Sequence, residues 1–344
     1  MKKNEFLFDF DQPIKAEREF NDRLTSFENA FSTPLKLSLF DDNSIYNSGR
    51  SVEDVTIDSD NVICTTYFNT KKDPQRETKV QLDDIQFISP WYYSLLELGL
   101  FGIVFHDNLS NEFIDLYQTD KIKFVKCTLG NYSLNDERFI LYYMFFLKHK
   151  KQNLFLTDGN DVIINKNPFT LIKSKPKTKI FVGRGKENKL YQSEWNLNSI
   201  DRLTTALNVK LSNNFYEMSI YNAGIIGGNY LSVMLFLRQM CSVFFRINND
   251  LNNNMASMHY VLYHYFFPNC RAGFRGVLYN LTPISFKLIF LRALKKSKLD
   301  ILRIDKINYN NDKIALSKHI VSGFPLNSRF YHFDQDSRAY FNHK

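Results

Sequence analysis

The stretch that most constrains the fold is residues 153–169, NLFLTDGNDVIINKNPF, in which a short apolar run stops abruptly at an acidic turn. The apolar residues 154–156 are followed at once by a turn that contains Asp158 and Asp161. Short apolar runs that end in turn residues are typical of buried strands in parallel sheets, which bind ligands at the carboxyl ends of their strands. Proteins hold Mg²⁺ through one or two carboxylates together with substrate phosphates. The stretch therefore predicts a divalent-cation site and a phosphate-bearing nucleotide as the partner.

Strand-like and helix-like segments alternate along most of the chain. The predicted strands are 61–68, 100–105 and 122–127, and the helices between and after them are 84–100, 111–119 and 133–147. Such alternation is typical of an α/β sheet rather than a sandwich or a helix bundle. We therefore predict an α/β fold with a Rossmann-type, mainly parallel sheet flanked by helices.

The 344 residues suffice for one extended α/β domain or for two domains. The polar segment 1–58 is expected to be an N-terminal extension, followed by the main domain at 59–344. The tail at 319–344 is rich in Phe and Tyr, which disordered tails usually lack, so we expect it to fold back on the body.

Composition and the scattered cysteines exclude several classes of protein. A hydrophobic content of 44% is too high for a disordered chain, and the four cysteines form no CxxC or Cys/His cluster, which argues against zinc or a disulfide framework. Asparagines and glycines interrupt the charge-free stretch 218–237, so we predict a strand, a turn and a helix there rather than a membrane span. The N-terminus carries no secretory pattern, and we expect a cytoplasmic protein.

The net charge of +8 is spread over short basic runs. Each run is expected to be a solvated surface, and we expect no nucleic-acid partner. The segment 284–303 alternates apolar and basic residues at helical spacing, which suits a helix over the sheet or a helix on an anionic membrane. Peripheral membrane contact through this segment therefore remains open.

Two further segments carry candidate ligand-binding residues. The first strand opens into the loop NTKKDPQR at 69–76, where doubly wound folds receive a nucleotide, although a plain surface loop is an equal alternative. Asn222 and the glycines of YNAGIIGG at 221–228 allow close approach of a ligand to the backbone. On the helix before the acidic turn, Arg138 is placed to pair with Asp158, with Asp161 or with a phosphate.

In block order over residues 61–344, the chain resembles the GT-A glycosyltransferases, which hold Mn²⁺ or Mg²⁺ against the diphosphate of a nucleotide sugar through a DxD-type motif. The blocks that carry this resemblance are the first strand with its DPQR loop, SLNDERF, FLTDGNDVIINKNPF, and YNAGIIGG ahead of NMA. The acids here stand as DxxD, with Asn160 at the place of the second acid of DxD.

The resemblance implies roles for particular residues. The implied metal ligands are Asp158, Asp161 and His343, with Asp158 also a candidate for the ribose and Asn160 either a neutral ligand or a turn former. The implied catalytic residues are Arg138, Asn254 and Asp250; Asn254 stands where relatives often show an acid, and Asp250 is the nearby substitute. The implied nucleotide-binding residues are Thr66, Tyr67, Asp73, Arg76, Asp136, Arg138, Asp158, Gly159, Asn160, Asn222, Gly224, Gly227 and Gly228.

The resemblance also implies an activity, the transfer of a sugar from a nucleotide-sugar donor to a glycan or lipid-linked acceptor, as in polysaccharide biosynthesis. It divides the main domain into a nucleotide-binding half at 59–170 and an acceptor half with the tail at 171–344. A nucleotidyltransferase, a phosphotransferase with an aspartyl nucleophile and a non-catalytic carbohydrate-binding protein remain alternatives. A plain Asx-turn or a Ca²⁺ loop is an alternative explanation of DGND itself, and the flanking buried strands count against it.

Overall fold

The computed structural model describes residues 45, 49–74, 77–174, 180–266, 315–319 and 339–343. Arg76 and the basic segment 284–303, both singled out in the sequence, lie outside the described residues. Within these ranges the chain forms a mixed α/β structure with two sheets.

Ten strands are described. They are β1 (Ser51–Val52), β2 (Asn61–Tyr67), β3 (Gly102–His106), β4 (Ile122–Thr128), β5 (Asn153–Thr157), β6 (Val162–Ile164), β7 (Phe181–Lys189), β8 (Ser219–Asn229), β9 (Ala315–His319) and β10 (Ala339–His343). The main sheet has the order β1-β4-β3-β2-β5-β8-β7. Strands β4, β3, β2 and β5 are parallel, whereas β8 pairs antiparallel with both β5 and β7, and β1 pairs antiparallel with β4.

The described helices connect these strands. They are α1 (Ser89–Glu97), α2 (Asn111–Tyr117), α3 (Leu134–Lys148), α4 (Phe169–Ser174), α5 (Glu194–Leu207), α6 (Asn213–Tyr216), α7 (Tyr230–Ile247) and α8 (Asn254–Val261). Short 3₁₀ turns lie at Ile85–Phe87 and Leu190–Gln192, and a π-helical turn at Leu262–Phe266 continues α8. The predicted α/β fold with a mainly parallel sheet flanked by helices is confirmed.

Apolar side chains cover both faces of the sheet. On β2, Val62 and Cys64 belong to the core on the side of α3 and α7, while Ile63 belongs to the core around Trp91 of α1. Successive strand residues point to opposite faces, so a strand buried on both sides needs a continuous apolar run. This requirement explains why the sequence around β2 and β5 lacks polar alternation.

The charge-free stretch 218–237 forms β8 and the first part of α7, as the sequence predicted. Helix α7 is long and apolar enough to cross a membrane by length and composition, but 72% of the tested window is buried inside the protein. Among the described residues no other helix passes this test. The buried face of α7 packs on α3 and β8, as expected of a core helix.

The C-terminal tail returns to the main body. Strand β10 pairs antiparallel with β6, directly after the acidic turn, and parallel with β9, which gives a second sheet of order β6-β10-β9. The prediction that the tail folds back is confirmed for residues 339–343. At the other end of the chain, β1 adds two residues of the predicted N-terminal extension to the edge of the main sheet. The described cysteines, Cys64, Cys127 and Cys241, are buried.

Candidate metal and nucleotide site

The acidic turn lies where the strand order of the sheet reverses. The chain runs from β2 outward through β3 and β4, and then returns to place β5 on the other side of β2. Such reversal points form the crevice in which open α/β sheets bind their ligands. Asp158 follows β5 directly, and Thr157 anchors the strand end by accepting a hydrogen bond from Trp91 Nε1 (2.8 Å) and donating one to the Cys64 carbonyl (3.1 Å).

Three side chains with metal-binding atoms converge at this point. Asp158, Asp161 and His343 each offer one ligand atom, and these atoms all lie within 4.8 Å of one another. His343 Nε2 is 3.6 Å from Asp158 Oδ2 and 3.6 Å from Asp161 Oδ1. The His343 side chain is 3% exposed, whereas Asp158 and Asp161 are 25% and 16% exposed. The imidazole therefore forms the inner wall, and the carboxylates remain reachable from solvent.

The β6–β10 ladder brings His343 to the acids. Val162, which follows Asp161, is the cross-strand partner of His343, and Ile164 is the partner of Phe341. Phe341 is fully buried, with its ring 5.3 Å from that of Phe155 on β5. Backbone pairing and an aromatic anchor together set the position of the histidine.

Gly224 on β8 leaves room for this cluster. A Cβ atom at this position would lie 2.4 Å from Asp158 Oδ2 and 2.8 Å from His343 Nε2. The Gly224 carbonyl accepts the Asp158 N–H (2.9 Å), and the Asn222 side chain accepts the Gly224 N–H (2.6 Å). The glycine is therefore required because two charged side chains pack against its backbone.

Arg138 reaches the site from near the start of α3. Its Nη1 group is hydrogen-bonded to Asp158 Oδ1, and its Nη2 group donates to the Ala223 carbonyl (3.2 Å). The Ser133 side chain caps α3 by accepting the Asp136 N–H, as the sequence around SLNDERF predicted. The predicted pairing of Arg138 with Asp158 is present.

Charge governs ionisation in this cluster. Burial alone would raise the pKa of Asp158, but the charges and hydrogen bonds of Arg138 and His343 together outweigh it and hold that pKa well below its usual range. Burial alone would lower the pKa of His343, but the carboxylates of Asp161 and Asp158 raise it to about 9. Arg138 and His343 thus place two positive groups beside the carboxyl group of Asp158.

The donor set fits a divalent cation. Two carboxylates and one imidazole are common protein ligands, and Asp161 Oδ1 is buried without a hydrogen-bond partner among the described residues. Bound Mg²⁺ prefers an all-oxygen octahedral shell, whereas an imidazole ligand suits transition metals. The set therefore offers mixed oxygen and nitrogen ligands to a divalent cation.

Other residues that the sequence assigned to the nucleotide lie around β2 and the turn. Thr66 is half-buried in β2. Asp73 lies in a loop in which its N–H donates to the Thr78 carbonyl and its carbonyl accepts the Glu77 N–H. The space around Gly159 leaves no room for a side chain, since a Cβ there would lie 2.6 Å from Thr65 Oγ1. Asn160 is half-buried in the same turn.

Tyr67 is placed differently from its predicted nucleotide contact. Its side chain is fully buried, and its hydroxyl donates to the Gln81 carbonyl (2.6 Å) and accepts the Asp84 N–H (2.9 Å). These bonds fix the loop before α1. Tyr67 points there because alternate residues of a strand face opposite sides of the sheet.

Gly227 and Gly228 are not brought to the carboxylates. In the antiparallel pairing of β5 with β8 they lie opposite Phe155 and Leu154, whereas Ile225 lies opposite Thr157 at the carboxyl end. A Cβ at Gly227 would lie 2.1 Å from the Phe155 ring, so this glycine makes room for a core aromatic. The assignment of both glycines to the ligand is corrected by this register.

The residues on α3 and near α8 that the sequence assigned to nucleotide binding or catalysis lie in different surroundings. Asp136 is fully buried and accepts hydrogen bonds from the backbone and side chain of Asn253, so it anchors the loop before α8 instead of facing a ligand. Asp250 is exposed in that loop. Asn254 begins α8 and is 5% exposed, and its Oδ1 atom has no hydrogen-bond partner among the described residues.

His259 on α8 is a packed core residue. Its Nε2 atom accepts the Tyr221 N–H (3.0 Å), its Nδ1 atom lies 2.7 Å from the Met255 carbonyl, and burial lowers its pKa to about 4. Sequence reasoning missed Arg50, Glu137 and Asn253, which hold the start of α3. The run of three charged residues DER inside a buried helix was the available signal.

The solved structures that match the chain include a galactosyltransferase, at low similarity. The crystal structure of the galactosyltransferase LgtC in complex with donor and acceptor sugar analogues matches at 9% identity and a TM-score of 0.34, over 58% of this chain and 70% of that chain. No protein-family model and no curated protein sequence matches the chain. Functional inference therefore rests on the geometry of the site itself.

Proposed function

We propose that the protein is a metal-dependent glycosyltransferase that uses a nucleotide-sugar donor. The observation that carries this proposal is the convergence of Asp158, Asp161 and His343, with Arg138 beside them, at the reversal point of the sheet. A nucleoside diphosphate is a ligand that a divalent cation and a fixed guanidinium can bind together, since both neutralise phosphate charge. The resemblance of the sequence blocks to GT-A enzymes points to the same class.

Each residue has a distinct task in this proposal. Asp158, Asp161 and His343 would hold Mn²⁺ or Mg²⁺, which when bound stabilises the charge that develops on the leaving diphosphate. Arg138 binds a phosphate oxygen and keeps Asp158 ionised. The turn around Gly159 and Asn160, together with Thr66 of β2, contacts the ribose and base.

The acceptor side is formed from the second half of the chain. Asn254 offers a buried amide oxygen that a sugar hydroxyl can satisfy, and Asp250 is an exposed carboxylate a few residues before it. Arg138, Asp158 and Asp161 come from residues 59–170, and Gly224, Asn254 and His343 come from 171–344. The two parts of the chain therefore build the metal site together, and we assign a glycan or lipid-linked acceptor to residues 171–344.

A donor screen tests the activity directly. UDP, GDP and CMP sugars are incubated with the protein and Mn²⁺, and hydrolysis or transfer is followed with and without EDTA. We expect one nucleotide class to react, only with metal, and Asp161→Asn to lose the reaction. Turnover of a nucleoside triphosphate to pyrophosphate would indicate a nucleotidyltransferase, and a thermal shift with glycan alone would indicate a binding protein.

A further inference from the structure

Two buried polar groups on α3 lie beside the candidate metal site without a hydrogen-bond partner in the part of the chain that the structure describes. They are the Nε–H of Arg138 and the hydroxyl of Tyr142. Arg138 is 7% exposed and Tyr142 is 1% exposed. A polar group that folding removes from water costs free energy unless another group satisfies it, and most buried polar groups in native proteins have a partner.

The helix places these two residues on one face. They stand four positions apart in α3, and side chains at that spacing are neighbours on the surface of a helix. This face is directed at the sheet, because the ring of Tyr142 packs against that of Phe105 on β3, with the ring centroids 5.0 Å apart. The Nη groups of Arg138 contact Asp158 and the Ala223 carbonyl, so Nε–H is the part of the guanidinium that still needs an acceptor.

Electrostatic interactions link the hydroxyl of Tyr142 to the charged pair of the site. Burial raises the pKa of this hydroxyl well above its usual range, Cys64 raises it further, the charge of Arg138 lowers it, and Asp158 raises it. Burial alone would lower the pKa of Arg138, whereas Asp158 and Tyr142 raise it. The hydroxyl therefore stays protonated and lies close to both Arg138 and Asp158.

A single water molecule can satisfy both groups. The Nε–H of Arg138 can only donate a hydrogen bond, whereas the hydroxyl of Tyr142 can donate or accept one. A water oxygen between them can therefore accept from Arg138 and bond to Tyr142, and the water still has a proton for the carboxylate of Asp158. Buried waters in proteins make about three hydrogen bonds to polar groups that lack other partners, which agrees with this set of groups.

We propose that Tyr142 is a positioning residue that holds Arg138 in the site through a shared buried water. With Nε held in this way, the guanidinium keeps its contact with Asp158 and the direction it needs to meet a phosphate oxygen. The proposal rests on the proposed function only where it assigns Arg138 to the donor phosphate. The alternative is a hydroxyl that is buried without any partner.

The stability of Tyr142→Phe separates the two possibilities by its sign. If the hydroxyl has no partner, the substitution removes a buried polar group that costs free energy, and the variant should be more stable than the wild type. If the hydroxyl shares a water with Arg138, the substitution breaks the bridge, and the unfolding temperature of the metal-free full chain should fall. Tyr92→Phe is the matched control, because its buried hydroxyl lies between α1 and α2 and donates to the Tyr117 carbonyl.

The direct measurement is the ¹H–¹⁵Nε resonance of Arg138 in the full chain. The protein is labelled with ¹⁵N-arginine, and the resonance is assigned by its absence in Arg138→Lys. In the wild type, a rotating-frame Overhauser experiment should show a cross-peak between this proton and water. In Tyr142→Phe the cross-peak should weaken and the resonance should shift, whereas Tyr92→Phe should lose stability and leave both unchanged.

Three results would overturn the proposal. They are a Tyr142→Phe variant more stable than the wild type, an unchanged Arg138 resonance in that variant, and absence of the water cross-peak in the wild type. The last result needs no variant, so it decides the question even if Tyr142→Phe does not fold.

Binding of UDP and GDP in the presence of Mn²⁺ gives a second measurement. The dissociation constant should rise roughly three- to tenfold in Tyr142→Phe, as expected for the loss of one hydrogen bond, and should stay unchanged in Tyr92→Phe. Absence of nucleotide binding by the wild-type protein would contradict the proposed function. The Arg138 resonance and the stability of Tyr142→Phe would still test the role of Tyr142.

Discussion

His343 lies directly opposite Val162 in the antiparallel ladder between β10 and β6. Because Val162 follows Asp161, this pairing places the imidazole next to the carboxylate, with Nε2 3.6 Å from Asp161 Oδ1. A shift of the ladder by one residue would turn the imidazole to the other face of the strand. The register of a three-residue strand thus decides whether the site is complete.

Loss of either ligand should abolish tight metal binding. Asp161→Asn and His343→Gln are expected to weaken Mn²⁺ binding on the order of 100-fold. Loss of a group that only orients a metal ligand already lowers metal affinity by up to about that factor. Calorimetric titration of the full chain with Mn²⁺ measures this loss. Asp115→Asn and His264→Gln, at exposed positions on α2 and after α8, are the controls. Equal loss in the controls, or none in the ligand variants, would refute the site.

Gly224→Ala should damage the site without a comparable loss of stability. The added methyl group would lie 2.4 Å from Asp158 Oδ2 and 2.8 Å from His343 Nε2, so one of the two side chains must move. Mn²⁺ affinity should therefore fall at least tenfold, while thermal unfolding without metal changes by a few degrees. Unchanged affinity in this variant would show that the acids and the histidine do not share a cation.

The sequence predicted the parts of the site that depend on local chemistry. An apolar run ending in acids located the end of β5, and the helix before the acidic turn located Arg138, the cation that meets Asp158. His343 was implied by resemblance alone. Nothing local indicates that its strand pairs with β6, because the two segments are far apart in the sequence.

Register and orientation account for the residues that sequence reasoning misplaced. Gly227 and Gly228 share a motif with Gly224, but an antiparallel strand carries them toward the amino end of β5. Tyr67 and Asp136 have the polar groups that a nucleotide site needs, yet their partners are the backbone near Asp84 and Asn253. Long-range contacts of this kind have no signature in a single sequence.

Phe341→Ala should weaken metal binding from a distance. The Phe341 ring is fully buried against Phe155 and holds the strand that carries His343. Loss of the ring should lower the local or global free energy of unfolding by about 3–5 kcal/mol. Mn²⁺ affinity should fall, because some of the free energy of metal binding is then used to hold β10 against β6. Tyr93→Ala, at a residue with 51% exposure, is the control for loss of an aromatic ring. Hydrogen exchange of β6 amides should speed up in Phe341→Ala alone.

Asp136 should make the protein less stable as the pH rises from about 4 to 7. Burial raises the pKa of this carboxyl to about 7, despite the hydrogen bonds from Asn253 that lower it. The folded state therefore binds a proton that the unfolded state releases near its ordinary pKa of about 4. The stabilising contribution is fully present below pH 4 and is lost as the pH rises through 7, by on the order of 4 kcal/mol.

Asp136→Asn keeps an acceptor oxygen for the Asn253 N–H but cannot ionise. Urea unfolding of the metal-free protein between pH 4 and 8 should therefore show a smaller fall in stability for this variant than for the wild type. At pH 8, where the wild type must bury a carboxylate, Asp136→Asn should be the more stable of the two. Asp115→Asn, at an exposed carboxylate, should follow the wild-type curve. Parallel curves for wild type and Asp136→Asn would show that Asp136 ionises normally.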